Sequence, residues 1–146
     1  MDPDLALLIG SWRLLSSEAT FVDTGERIEH FGPKPEGLMM FTSGGRIMFL
    51  MAKSNRQPPT DDVERAASFN DMAAYTGLVR SGGPGRFITT VDLAWHPAWT
   101  GEQLRFYTIN GDLLEIRTPQ QTHPLFPGRL AVGELTWECE QLPQVR

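Results

Sequence analysis

Apolar residues occur along the chain in short runs, which are separated by turns rich in Gly and Pro. Most runs have the length and the apolar–polar alternation of β-strands. Two dipeptides each separate one such run from the next, as the turn of a tight hairpin does: Gly44-Gly45 and Asn110-Gly111. The pattern predicts an all-β fold with nine candidate strands, at residues 12–21, 27–31, 38–41, 46–51, 75–80, 86–95, 102–109, 112–118 and 130–140.

One segment has helical rather than strand spacing. Thr60 is a good N-cap residue, and Asp61 and Asp62 follow it where the helix dipole favours negative charge. The apolar positions at helical spacing are Val63, Ala66, Ala67 and Phe69. We predict one short helix at about residues 61–72, packed on the sheet or across one end of it. A single helical turn is also expected at residues 5–10.

Sequential antiparallel hairpins in this number tend to close on themselves, because closure removes exposed sheet edges. The predicted fold is therefore an antiparallel up-and-down β-barrel of eight or nine strands, with the helix inserted around residues 61–72. At about eight strands, the interior is wide enough for side chains or one small ligand. No repeat or linker divides the sequence, so we predict one domain over residues 1–146.

Composition narrows the range of partners. The chain has 13 basic and 18 acidic residues, for a formal net charge of −5, and its Lys and Arg residues form no cluster. Such a chain repels phosphates, so neither nucleic acid nor a membrane surface is an expected partner.

Cys139 is the one cysteine and excludes an intrachain disulfide, and the N-terminus lacks the basic start of a signal peptide. A cytoplasmic protein is expected, and a homodimer is left open.

Four segments in a fixed order carry a family resemblance: Gly10-Ser11-Trp12, residues 31–37, residues 97–101 and residues 133–138. Together they resemble the lipocalin-like domain family of small stand-alone bacterial and fungal proteins, over residues 8–138. The resemblance implies a lipocalin-like (calycin) barrel with a ligand inside, and a Trp12 side chain that plugs its closed end. Relatives often carry a histidine where this chain has Thr89 and Thr90, so no histidine-based role is transferred.

The Asn110-Gly111 hairpin gives the most specific prediction about the interior. A two-residue turn there pairs Tyr107 with Leu114 and Arg105 with Ile116, each pair on one face. Since Leu114 and Ile116 suit a barrel interior, Arg105 and Tyr107 are predicted to point inward. An inward Arg beside a Tyr suits a ligand carboxylate or carbonyl. The alternative is that Arg105 packs over Trp12 at the closed end.

Further candidate ligand contacts come from apolar and aromatic positions. The β-hairpin at residues 38–51 contains four methionines that suit an adaptable pocket, although ordinary core packing is the alternative: Met39, Met40, Met48 and Met51. Phe87 is predicted inside, and Trp99 and His96 at a pocket rim. The three histidines could meet at one mouth of the barrel, but they lack the spacing of metal ligands, so no metal and no cofactor are predicted.

The favoured function is the binding of a small hydrophobic molecule that is lipid-like or polyketide-like. The hypothesis leaves open whether this molecule also carries a carboxylate. The alternative is a cofactor-independent isomerase, cyclase or hydratase that uses the same cavity. That alternative needs an acid–base group, for which His96, Asp92 and Tyr107 are the candidates. A third hypothesis, a haem-binding barrel, requires an inward axial histidine.

Overall fold

The computed structural model describes residues 1–141, and strands dominate it. A 3-10 helix spans Pro3–Leu8 and an α-helix, α1, spans Asp62–Asn70. Within these residues there are ten strands: β1 Gly10–Phe21, β2 Arg27–Ile28, β3 Glu36–Phe41, β4 Arg46–Ala52, β5 Met72–Ser81, β6 Arg86–Ala94, β7 Gly101–Asn110, β8 Leu113–Arg117, β9 Gln121–His123 and β10 Phe126–Cys139. The single-domain prediction over 1–146 stays a prediction, since residues 142–146 lie outside the described part.

Eight of these strands form a closed antiparallel barrel. The order is β1-β3-β4-β5-β6-β7-β8-β10, and β1 pairs with β10 to close the ring. The two short strands β2 and β9 extend the sheet beside β1 and β10. Each barrel strand is antiparallel to its neighbours, so the predicted up-and-down barrel is confirmed.

The 3-10 helix closes one end of the barrel. Leu5 and Leu8 are fully buried there. Trp12, which is also buried, donates its indole N–H to the carbonyl of Leu8 at 2.9 Å. These contacts fix the start of the chain under the barrel floor and leave the opposite end as the mouth.

The β7–β8 hairpin turns one residue later than the sequence suggests. Asn110 pairs with Leu113, so the turn residues are Gly111 and Asp112. Gly111 has a φ of 63°, which a glycine adopts without cost at the first turn position. Tyr107 consequently faces Ile116 rather than Leu114. Each β7 residue therefore faces a β8 residue two positions further along the chain than predicted. Because side chains alternate with a period of two, the predicted inner and outer faces are preserved.

The predicted helix exists, but its cap and its packing differ from the prediction. Asp61, not Thr60, is the N-cap, and its side chain accepts from the backbone N–H of Glu64 at 2.8 Å. Thr60 instead donates its N–H and its hydroxyl to the Glu64 carboxylate. No residue of α1 is buried, and Val63 is exposed, so the expected apolar packing face is absent. Neither helix within residues 1–141 has the length and apolar character needed to cross a membrane.

An apolar surface covers the outside of β3, β4, β5 and β6. Met40 pairs with Met48 and Leu38 pairs with Leu50 on this outer side. A register shift between Thr76 and Gly77 at the β5–β6 pairing turns Leu93 outward, where it is 70% exposed, although alternation along β6 predicts it inside. We call these side chains the outer apolar face: Leu38, Met40, Met48, Leu50, Leu78 and Leu93.

Candidate functional site

The inward side chains of the barrel leave a cavity of about 90 Å³ between the floor and the mouth. Alternation along each strand directs apolar residues into it, and representative lining residues are Met39, Ile47, Phe49, Tyr75, Ile116 and Leu135. A space of this size exceeds that of a single water molecule and fits a slender organic group. The cavity is the best candidate for a binding site on this chain.

Three of the seven residues that the sequence nominates border this cavity. They are Arg105 on β7, Phe87 on β6 and Trp99 in the loop between β6 and β7. Phe87 and Arg105 are direct partners across the β6–β7 pairing, which brings the apolar ring and the guanidinium to the same inner region. Tyr107, His96, Met40 and Met48 lie elsewhere.

Arg105 is the buried cation of the interior, with only 5% of its surface exposed. Its Nη1 donates to the carbonyl of Leu104 at 2.7 Å and, at 3.4 Å, to Oε1 of Gln121. None of the ion pairs among residues 1–141 includes Arg105. The alternative packing over Trp12 is not observed either, since the cation–π contacts of the described residues involve other arginines.

The two methionines point away from the cavity. Met40 and Met48 are each 49% exposed on the outer apolar face, which contradicts their predicted place in the pocket. The other two methionines of the hairpin, Met39 and Met51, are buried and do line the cavity. Both faces of this hairpin are apolar, so the hydrophobic pattern could not distinguish the inside from the outside.

Tyr107 and the other acid–base candidates also lie outside the cavity lining. Tyr107 is directed towards the floor, where its hydroxyl donates to the carbonyl of Asp4 at 3.3 Å. Burial raises the pKa of its phenol, as does the nearby Asp4 charge, so it remains a protonated donor at neutral pH. Asp92 forms an exposed ion pair with Arg46 at 3.1 Å. His96 accepts from the backbone N–H of Ala98 at 3.1 Å in the β6–β7 loop.

The structure adds Gln121, which the sequence reasoning missed, and brings His123, one of the three histidines expected at the mouth, into the cavity lining. Gln121 and His123 enter the cavity from β9, a three-residue strand within a segment predicted as a loop. The Nδ1 atom of His123 accepts from the backbone N–H of Leu125 at 3.0 Å, so its proton sits on Nε2. Burial and, to a smaller extent, the charges of His30, Arg105 and His96 together lower the pKa of His123 to about 4. His123 is therefore a neutral imidazole at neutral pH.

Aromatic rings surround the mouth. His123 contacts Trp99 and Phe126, with ring centroids 4.8 and 5.1 Å away, and His30 lies 5.3 Å from Phe126. His96 joins the same cluster through Trp95, at 5.5 Å. The three histidines thus meet at one mouth of the barrel, as the sequence allows. Within residues 1–141, no three His, Cys, Asp or Glu side chains come close enough to hold a metal ion.

The C-terminus of α1 is attached to this mouth by two hydrogen bonds. Nε2 of His30 donates to the carbonyl of Asn70 at 2.7 Å. The indole N–H of Trp95 donates to the carbonyl of Phe69 at 3.1 Å. These side chains satisfy carbonyls that a helix end leaves without partners, and they position α1 beside the entrance.

Two buried polar atoms have no hydrogen-bond partner among the described residues. They are the indole Nε1 of Trp137 and the hydroxyl of Thr89. Trp137 borders the cavity, whereas Thr89 is not among the lining residues. A buried donor without an acceptor is costly, and such groups in a native protein often mark a ligand site.

Comparison with known proteins identifies one match. The family profile described as "Lipocalin-like domain" matches residues 9–139, which include all eight barrel strands. No curated protein matches the chain. The match agrees with the closed barrel and with small-molecule binding in general.

Proposed function

The chain belongs to the lipocalin-like domain family, and from this premise we propose that it binds a small apolar molecule with a carboxylate inside its barrel. The observation that carries the proposal is the buried guanidinium of Arg105, which has no carboxylate partner among residues 1–141. Buried charges in proteins are normally paired, because an isolated one loses its hydration without compensation. A ligand carboxylate supplies the missing partner.

The surroundings of Arg105 support this choice of ligand. Its contacts to the Leu104 carbonyl and to Gln121 both involve Nη1, and each partner is neutral. A guanidinium offers five N–H groups, so donors remain for a bidentate carboxylate. The other lining residues are mostly apolar, and His123 is neutral at physiological pH and does not compete for the anion.

The size and chemistry of the cavity define the ligand class. A cavity of about 90 Å³ encloses only a few carbon atoms of a slender chain, so the rest of a longer molecule would extend from it through the mouth. We propose a lipid-like or polyketide-like acid, of which a medium-chain fatty acid is the simplest example. A haem, as a large rigid disc, does not fit in this space.

Octanoic acid is a suitable probe for the proposal. We expect the protein to bind octanoate at neutral pH in titration calorimetry, and Arg105→Met to weaken binding by about tenfold or more, as for the loss of a charge-assisted hydrogen bond. Octan-1-ol, which lacks the carboxylate, should bind both proteins equally. Arg86→Met is the matched control, because Arg86 is exposed and stacks on Phe106, away from the cavity lining. Equal octanoate affinity for Arg105→Met and the parent protein would refute the proposal.

Catalysis in the same cavity is less well supported. His96, Asp92 and Tyr107 do not border the cavity, so each would have to act from outside it. An isomerase, cyclase or hydratase would therefore depend on His123, the neutral imidazole in the lining. Binding needs no such group and is the function that the geometry supports best.

We also propose that the protein is a homodimer in the cytoplasm. The outer apolar face supports the dimer, because monomeric proteins rarely expose so continuous an apolar surface. The ion pairs Arg46–Asp92 and Arg80–Glu102 lie on the same outer side, and Arg46 also donates to Thr76, the cross-strand partner of Met48 and Leu93, so a second copy finds both signs of charge beside the apolar side chains. The single cysteine supports the location, which fractionation of cells expressing the tagged chain would test.

A further inference from the structure

The buried indole N–H of Trp137 is a hydrogen-bond donor to which the described residues offer no acceptor. The side chain is 2% exposed and borders the cavity from β10. Its cross-strand neighbours on the two sides are Leu14 and Leu114, which offer no acceptor. The indole N–H has no hydrogen-bond partner among residues 1–141.

A buried donor in this state weakens the protein unless something accepts from it. The loss of a hydrogen bond to water is not compensated when the group is buried alone. The other tryptophan near the floor, Trp12, shows the usual solution, since its indole N–H donates to a backbone carbonyl. Trp137 differs because its indole N–H has no such partner among residues 1–141 and its side chain borders the cavity.

We propose that the ligand carries a second polar group, an uncharged acceptor oxygen that takes the hydrogen bond of the Trp137 indole. This inference rests on the proposed function and refines its ligand class. The acid at Arg105 is joined by a keto or ether oxygen further along the molecule, as in an oxo-acid. An indole N–H only donates, so the matching ligand atom must accept.

Thr89 provides the contrast within the same barrel. Its hydroxyl is also buried without a partner, but Thr89 does not border the cavity. A ligand in the cavity therefore has no access to it. Of these two buried donors, only Trp137 lies where a ligand in the cavity can reach it.

The test compares octanoic acid with a positional series of oxo-octanoic acids in titration calorimetry. We expect one position of the oxo group to bind the parent protein about tenfold more tightly than octanoic acid. Trp137→Phe should abolish this gain, so that the preferred oxo-acid binds the variant no more tightly than octanoic acid does. Thr89→Val, the matched control, should retain the gain.

A second measurement does not depend on any variant. The indole N–H resonance of Trp137 in the nitrogen–proton NMR spectrum should move downfield when the preferred oxo-acid binds, and should stay near its free position with octanoic acid. This readout keeps the inference testable if Trp137→Phe does not fold.

The outcomes for the two proposals are distinct. If octanoic acid binds in an Arg105-dependent way but no oxo-acid binds more tightly, the second anchor is wrong and the acid-binding proposal stands. If the gain survives in Trp137→Phe, the oxygen has another partner and the inference is likewise wrong. If no acid in the series binds, both proposals fail together.

Discussion

At the scale of single residues, the barrel interior combines an apolar lining with a few polar side chains in unusual surroundings. Among residues 1–141, Arg105 is a cation without an anion and Trp137 is a donor without an acceptor, and His123 is an imidazole kept neutral by burial. Each of these states has a cost for the empty protein. A ligand with a carboxylate and an acceptor oxygen would relieve the first two, while the third has its own measurable consequence.

His123 should make the protein less stable in mild acid. Its pKa is about 4 in the folded protein against an ordinary value of 6.5, which we take for the unfolded chain. Above pH 6.5 neither state is protonated. As the pH falls from 6.5 to about 4, the unfolded chain binds a proton that the folded protein does not, so the free energy of unfolding falls by roughly 3 kcal/mol in total. Urea unfolding across this range measures the slope.

His123→Asn should remove most of that slope. The Asn side-chain oxygen can replace Nδ1 as the acceptor for the backbone N–H of Leu125, so the loop is preserved. The control is His96→Asn, because His96 makes the equivalent bond to Ala98 but does not line the cavity. A pH dependence that is the same in His123→Asn and the parent protein would contradict the prediction.

The residue-level outcome shows what alternation can and cannot predict. The inward orientation of Arg105 followed from its register with apolar partners, and it survived a one-residue error in the turn because the period is two. Gln121 was missed, and the strand that carries His123 into the lining was not predicted, because β9 is only three residues long in a segment broken by prolines. The unsatisfied indole of Trp137 depends on what surrounds it in three dimensions, which no local pattern encodes.

At the scale of secondary-structure elements, the β5–β6 pairing leaves no space for a side chain at Gly77. A Cβ atom on Gly77 would overlap the carbonyl oxygen of Thr90 and would lie 2.9 Å from Cγ2 of Thr89. The register shift beside Gly77 also turns Leu93 outward. This glycine therefore permits both the close pairing and the local irregularity of β6.

Gly77→Ala should destabilise the barrel by about 2 kcal/mol or more, since the new methyl group has no space to enter. Gly44→Ala is the control, because the nearest atom to a Cβ there is the Thr42 hydroxyl at 3.8 Å and the expected change is within about 0.5 kcal/mol. Urea unfolding of both variants measures the difference. Equal midpoints for the two variants would show that the strand pair can move apart without cost.

Apart from β9, the elements were predicted in order and type, and their packing was harder to predict. Strand boundaries follow the turn residues, which the sequence marks clearly. The helix was identified by its charged first turn, yet Val63 and its helical neighbours remain exposed because α1 is attached to the mouth through its terminal carbonyls. Helical spacing of apolar residues indicates a helix, but not that a partner surface exists for it.

At the scale of the whole molecule, closure of the sheet was predictable and its outer surface was not. Eight strands in sequential antiparallel order remove their edges by pairing β1 with β10. The hairpin of β3 and β4 is apolar on both sides, so one side fills the barrel and the other forms part of the outer apolar face. That second apolar side is unnecessary for the barrel and is the reason to expect self-association.

The homodimer proposal predicts that the isolated protein has twice the mass of the chain in light scattering after gel filtration. Met48→Lys places a charge in the middle of the outer apolar face and should convert the dimer to a monomer, with little loss of stability because Met48 is half exposed. Leu113→Lys is the matched control, since Leu113 is an exposed leucine on β8, outside that face, and its variant should remain dimeric. A monomeric parent protein at high concentration, or a dimer that persists in Met48→Lys, would rule out this interface and leave the cavity proposals untouched.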